Sequence, residues 1–387
     1  MNGTELVTGI GELTTHDESG ERLHNAALVI GEGRILWIGP AARAPAADRR
    51  TDVDGRAVLP GWVDTHTHLV FSGDRSAEFE ARMAGQAYAA GGINTTVTAT
   101  RAAPEEQLVA TARNLRHEAE TQGTTFLETK TGYGLDVASE ERSARAAANV
   151  ADVVTYLGAH IVPAGMDRRA YIDLVTGPML TAVLPYVQFI DAFCEKGAFD
   201  VEESREVLLA GRAAGLELRV HGNQLGFSGG VRLAVELGAA SVDHCNYLEP
   251  ADIDALAVGT TVATLLPACD LSTRQPFAPA RRLLDAGVVI ALATNCNPGT
   301  SYTTSMPLCV ATAVLQMGLT VREAVWAATR GAARALGRDR GADAVGSLFV
   351  GGRADLQVLN APSISHLAYR VGVPLTAAVW RSGVRVD

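Results

Sequence analysis

Residues 61–69 read GWVDTHTHL, with His66 and His68 two apart in a run of apolar and β-branched residues. Side chains alternate faces along a β-strand, so a spacing of two sends both imidazoles to one side. Two imidazoles side by side make half of a zinc- or iron-type site, which needs three or four ligands. The bland alternative is a pair of polar residues near a strand end. It loses ground only if the rest of the chain supplies partners.

Working outward from this stretch, seven further strand-like segments follow, alternating with helical patterns. They are TTFLETKT (124–131), DVVTYLGAH (152–160), VQFIDAFC (187–194), ELRVHGNQ (217–224), AASVDHC (239–245), TTVATLLP (260–267) and VVIALATN (288–295). Helix signals lie between them. Pro104 opens PEEQLVATARNLRHEAETQG with acids in the first turn and Gly123 behind it. VEESREVLLAGRAAG ends on Gly215, and 320–336 is apolar on one face. Eight β/α units with near-continuous apolar strands predict an α/β fold, a (β/α)8 TIM-like barrel. An open doubly wound sheet would want a Gly-rich phosphate turn after the first strand, and the chain has none there.

The two ends read differently. ELVTGIGELTT, AALVIGEGRILWIGP and TDVDGRAVLPG are short strands split by turn residues, and GSLFVGGRADLQVLN and LTAAVWRSGVRV at the far end are similar. Two β segments at opposite ends most simply pair with each other. This predicts a small β-sandwich from residues 1–60 and 346–387, flanking a barrel over 61–345.

Composition narrows the function classes. The chain has 387 residues, 47% hydrophobic, with a net charge of −10 and no Lys/Arg-rich run. That argues against nucleic acid and anionic membrane as partners. No stretch approaches about 20 uninterrupted apolar residues, and MNGTELVTGI lacks a basic region before an apolar core, so a cytoplasmic protein is expected. The five cysteines contain no CxxC and predict buried thiols, not a disulfide framework or a cysteine zinc site. Cys245 and Cys296 directly follow candidate site residues and are expected to pack behind them.

Barrel chemistry gathers at the C-terminal ends of the strands. His66 and His68 end the first expected strand, Glu128 and Lys130 the second, His160 the third, His221 the fifth, His244 the sixth and Asn295 the eighth. Five of the nine histidines thus sit at one rim, which packing alone explains poorly because unpaired buried polar groups are costly. His16, His24, His117 and His366 lie in segments of surface character and receive no role.

The HxH on the first strand, the histidines on the fifth and sixth, and GSLFVGGRADLQVL (346–359) resemble the amidohydrolase superfamily. Within it the chain is similar to the imidazolonepropionase family through HTHLVFSGDR (66–75), GGINTTVTATRAA (91–103), ETKTGYGL (128–135), YLGAHIVP (156–163) and FCEKGAF (193–199). LGAASVDH (237–244), TVATLLP (261–267), PARRLLDAGV (279–288) and NPGTS (297–301) extend the match. The resemblance implies hydrolysis of a ring C–N bond in a small-molecule substrate, 4-imidazolone-5-propanoate. It implies His66, His68 and His221 as metal ligands, with position 295 as the fourth, around one Zn2+ or Fe3+ per chain. The substrate would lie across Arg75, Tyr133, His160 and Gln224, with Asn297, Gly299 and Thr300 near the product. His244, Gln224 and position 295 would serve catalysis, His244 polarising the substrate oxygen or relaying a proton, or else orienting a ligand. The resemblance also implies a homodimer. Arg75 makes physical sense here, since its planar fork suits the propanoate.

Two positions depart from the expected chemistry. Gln224, in HGNQLG, donates and accepts hydrogen bonds but cannot shuttle a proton as a Glu would; the resemblance accommodates either. In ALATNCNPG, Asn295 stands where the family pattern has Asp. Its amide oxygen can face a metal, but it cannot accept a proton near pH 7. Loss of a general base costs on the order of 10²–10⁴-fold in rate. Two other readings therefore stay open: an amidohydrolase for another small cyclic amide or amidine, and a fold-mate that binds the ligand without turning it over.

Overall fold

The computed structural model describes residues 3–17, 22–85 and 92–386, which leaves out Gly91 at the head of the GGINTTVTATRAA block. Each of the eight segments read as barrel strands forms one: β6 (Trp62–Asp64), β7 (Thr124–Lys130), β8 (Val153–Ala159), β9 (Phe189–Cys194), β10 (Glu217–Gly222), β11 (Ser241–His244), β12 (Val262–Leu265) and β13 (Ile290–Leu292). They lie in chain order in one sheet, and the registers from β7 to β13 are parallel throughout. Sequential parallel order means each crossover returns to the neighbouring strand, the topology of a (β/α)8 barrel. The mouth closes just past the strand ends, where Asn295 N donates to His66 O at 3.0 Å and His68 N to Cys296 O at 3.1 Å.

The chain ends form the second sheet. Its strands are β1 (Glu5–Thr14), β2 (Arg22–Gly31), β3 (Arg34–Pro40), β4 (Arg49–Asp52), β5 (Ala57–Pro60), β14 (Leu356–Leu359), β15 (Thr376–Arg381) and β16 (Val384–Val386). The order is β16-β15-β14-β5-β1-β2-β3, with β4 on β1, so the two termini meet where β14 pairs antiparallel with β5. Glu32 and Gly33 join β2 to β3 with φ of +52° and +77°, the two-residue hairpin geometry that matches strand twist. Ile35 on β3 and Trp380 on β15 are far apart in strand order yet share one core with Ile10, Leu28, Val58 and Leu356. The sheet therefore folds over its own apolar face as a small sandwich.

By contact density the chain falls into two compact units, residues 1–64, 118–126 and 305–387, and residues 65–117 and 127–304. Helices follow the expected signals: Glu105–Thr121 opens with Glu105 and Glu106, and Val201–Ala213 starts on an Asp200/Glu203 capping box. The 320–336 stretch differs, because a π-helical turn, Ala327–Gly331, separates Val321–Trp326 from Ala332–Ala335. Thr329 Oγ1 donates back to Val325 O at 2.7 Å and meets His16 Nδ1 at 2.8 Å. His16 is thus a buried packing residue and not the surface residue its segment suggests, held by a partner 313 positions away. No helix among the described residues is long and apolar enough to cross a membrane.

Trp380 is fully buried in the terminal-sheet core, and its indole N–H donates to Glu5 Oε2 at 3.3 Å. Trp380→Ala is expected to lower unfolding stability by about 3–5 kcal/mol in urea titration, the cost of an unfilled aromatic cavity. A change below about 1 kcal/mol would mean the sandwich core tolerates its loss.

Candidate metal centre and active site

The polar strand ends converge. The ring nitrogens of His66, His221 and His244 include one set lying within 4.8 Å of one another, all buried. His68 joins them, with its Nε2 3.2 Å from His66 Nε2 and its ring centroid 5.7 Å from that of His221. His66 and His68 lie beyond the end of β6 and still face one space. His221 comes from β10 and His244 from the last position of β11.

Behind these rings lies a charged layer. Asp243 Oδ2 accepts from His66 Nδ1 at 2.7 Å and from Arg219 Nη2 at 3.0 Å, and Lys130 Nζ stands 3.7 Å from it. Asp191 Oδ1 accepts the backbone N–H of His221 at 3.1 Å, while its Oδ2 lies 3.0 Å from both His221 Nδ1 and Lys130 Nζ. Lys130 also donates to Glu128 Oε1 at 2.9 Å, and Arg219 reaches Thr65 O at 2.7 Å. An aspartate on Nδ1 fixes tautomer and ring orientation and leaves Nε2 for a ligand, the arrangement behind metal-binding histidines. Three carboxyl groups (Glu128, Asp191, Asp243) against two cationic side chains leave the layer one formal negative charge in excess. The Nδ1 atoms of His68 and His244 have no hydrogen-bond partner among the described residues. Convergent imidazoles over a net negative layer fit a cation, and this donor set suits a divalent metal ion.

The other expected site residues border this centre. A narrow cleft is lined by Arg75, Ile93, Tyr133, His160, Ile161, Phe193 and Asn297. His160 Nδ1–H donates to Gly132 O at 2.9 Å, and its ring stacks on His68 at 5.8 Å. Tyr133 sits 5.4 Å from His160, ring to ring. Asn295 Nδ2 donates to Thr300 Oγ1 at 2.8 Å, and Asn297 Oδ1 accepts Gly299 N at 2.8 Å. Gln224 is buried, with Nε2 3.8 Å from Cys269 Sγ. The five cysteines are buried and free.

Sequence reading passed over five groups here: Asp191, Arg219, Asp243, Glu140 and Glu195. Glu140 accepts from the backbone N–H groups of Gly134 at 2.7 Å and Leu135 at 2.8 Å, and so shapes the Gly-Tyr-Gly loop. Glu195 accepts the backbone N–H of Gln224. A period-two signal was present for Arg219, which shares a strand face with His221. The turns out of the strands carry left-handed backbone at His244 (φ +85°), Cys245 (φ +58°) and Asn295 (φ +67°). Such conformations in non-glycine residues cluster where function holds them.

Fold and donor set define a barrel hydrolase of the amidohydrolase class, and the amidohydrolase family model matches residues 192–385. An imidazolonepropionase of Saccharopolyspora erythraea is 65% identical over 381 residues, covering 98% of each chain. One of an Arthrobacter species is 64% identical over 395 residues, covering 98% of this chain and 99% of its own. An adenosine deaminase from Xanthomonas campestris, crystallised with bound zinc, shares the fold at a TM-score of 0.73 with 19% identity, covering 98% of this chain and 92% of its own. The chain belongs to the imidazolonepropionase family.

Burial sets the protonation states. It holds His66, His68 and His244 well below the usual imidazole range, and pushes His160 down to about 3 and His16 to about 4. Below pH ~6.5 each such histidine leaves the native state with fewer protons than the unfolded chain. Stability from them is complete above that pH and falls as pH drops, by up to about 1.4 kcal/mol per pH unit each. Burial also raises Glu140, and raises Glu195 and Asp270 to about 7. These acids act in the opposite sense, favouring the native state at low pH and losing that contribution as pH climbs towards 7. Five histidines against three acids leave a net loss on acidification. Metal-free protein is therefore expected to unfold at lower urea concentration at pH ~5 than at pH ~7. An equal or higher midpoint at the lower pH would show that the acids dominate.

Proposed function

We propose that the chain hydrolyses the ring C–N bond of 4-imidazolone-5-propanoate to give N-formimidoyl-L-glutamate. The observation that carries this is near full-length identity of 64–65% to curated imidazolonepropionases. The cleft supports it, because Arg75, Tyr133 and His160 stand beside the imidazole cluster and offer a guanidinium, a phenol and an imidazole to an anionic ring compound.

In this reading His66, His68 and His221 hold one metal ion, Zn2+ or Fe3+, with the amide oxygen of Asn295 as fourth donor. Bound there, the ion supplies Lewis-acid polarisation of the ring carbonyl or amidine carbon and makes water acidic enough to react near neutral pH. The chain's own residues do the rest. Arg75 binds the propanoate, and Asn297, Gly299 and Thr300 border the product. Tyr133 and His160 flank the ring, and Gln224 orients it by hydrogen bonds, having no proton to exchange. His244, neutral and buried beside His66 and His221, takes the water's proton or returns one to the departing nitrogen. We place the protein in the cytoplasm as a homodimer on the family resemblance.

Asn295 supports one second reading, a binder that turns over little substrate, since an amide is no base. Protein loaded with zinc or iron is expected to consume 4-imidazolone-5-propanoate, and Asn295→Asp to do so faster, by on the order of 10²–10⁴-fold. Turnover in neither form sinks the hydrolase assignment. Turnover in the variant alone favours the binder for the chain as it stands.

Metal content separates the histidines. His68→Ala and His221→Ala are expected to lose metal on dialysis, while His244→Ala retains it and loses turnover. Loss of metal from His244→Ala with retention in His68→Ala would exchange the two assignments.

A further inference from the structure

We infer that Glu78 is the positioning residue of the carboxylate subsite, fixing the Arg75 guanidinium so that its terminal edge is presented to the anionic arm of the substrate. This rests on the substrate reading above, in which Arg75 receives the propanoate.

A guanidinium can take a carboxylate along a side edge, Nε with one terminal nitrogen, or along the end edge, Nη1 with Nη2. Glu78 occupies the side edge. Arg75 Nε donates to Glu78 Oε2 at 2.9 Å, and Nη2 lies 2.7 Å from both Oε1 and Oε2. Nη1 makes no hydrogen bond among the described residues, and Arg75 lines the cleft that also holds Tyr133, His160 and Asn297. The end edge is thus the part of the fork left for a second carboxylate.

The surroundings fix the plane of the fork. A Cβ at Gly92 would overlap Glu78 Oε2 and Arg75 Nη2, and a Cβ at Gly299 would overlap Nη1 and Cζ of Arg75. The absence of a side chain at 299 is what leaves room for the guanidinium itself. Arg82, on the same helix as Glu78 (Ser76–Met83), donates to Gly299 O at 3.1 Å and ties that helix to the loop. The Arg75 side chain is 5% exposed and Glu78 31%. The pair is therefore shielded on the arginine side and solvated on the glutamate side. Without Glu78 the four-bond arm of Arg75 gains rotamers, and anion capture must order them at the moment of binding.

Calorimetry with two probes tests this: 3-(imidazol-4-yl)propanoate and its uncharged propanamide. Both carry the same ring, so any effect on the imidazole centre cancels in their ratio. Glu78→Gln is expected to weaken propanoate binding by about tenfold and leave propanamide binding within about twofold of the parent. Glu78→Asp, which keeps the charge on a shorter arm, should retain part of the preference and guards against a misfolded Gln variant. Equal weakening of both probes would reduce Glu78 to a structural role and overturn the proposal, as would tighter propanoate binding in Glu78→Gln, the mark of a competitor. An intact preference in Glu78→Gln that vanishes in Arg75→Gln overturns the positioning role alone. If Arg75→Gln also keeps the preference, the carboxylate subsite itself falls with it.

Discussion

The Asp243 carboxylate ties the interior of the barrel together. Its Oδ2 takes His66 Nδ1 and Arg219 Nη2 directly, with Lys130 close by, and its Oδ1 takes Ser241 Oγ at 2.7 Å. All these side chains are buried, so each ion has been stripped of water at a cost of several kcal/mol. Attraction inside a low-dielectric interior repays that cost only when lone pairs and protons are matched; here the Asp243 oxygens are matched across four chain segments, while Arg219 Nε has no hydrogen-bond partner among the described residues. The arrangement stabilises little by itself, yet removing one partner would strand the others as unpaired buried charges, at about 3–5 kcal/mol. It also holds the Asp243 carboxyl well below its ordinary range: burial opposes this, but the charges of Arg219 and Lys130 and the hydrogen bond from His66 prevail.

Orientation of the imidazoles follows from that layer. His66 is turned by Asp243 and His221 is held by Asp191, so two rings from opposite parts of the barrel are set before any ligand arrives. Lys130 reaches both aspartates and links the two settings. A layer with one more carboxyl than cation lowers the cost of bringing a positive ion to the rings above it. Site and core are thus one construction, in which interior positions that would ordinarily be branched aliphatic side chains carry charge.

Much of this was legible in the sequence, in uneven measure. The eight strands announced themselves because each is a short, nearly continuous apolar run bounded by turn residues, which burial on both faces demands. Polar residues at their ends stand out against that background, and the structure places the rings of His66, His68, His160, His221 and His244 near one another. Asp191 and Asp243 were not singled out, because one acid within an apolar strand looks the same whether it faces the barrel axis or a covering helix. Only pairing across strands resolves the matter: His221 lies level with Phe193 on β9 and Asp243 on β11. His16 and the π-helical turn at Ala327–Gly331 were illegible for a related reason, since their partner lies more than 300 positions away. Local pattern carries periodicity well and long-range polar pairing hardly at all.

Asn295 is where sequence and structure bear on the chemistry together. Its backbone is left-handed, a conformation that Asn and Asp both tolerate better than bulkier residues. Its amide nitrogen is committed to Thr300 Oγ1 and its backbone N–H to His66 O, which leaves the amide oxygen as the atom to face a cation. Thr300 is a hydroxyl rotor, able to accept from an amide or, turned about its C–O bond, to donate to a carboxylate. The site around position 295 therefore accommodates either residue without rebuilding. What the asparagine changes is charge and basicity at one atom, while the rings, the aspartates behind them and the Arg75 fork keep the positions that the fold dictates.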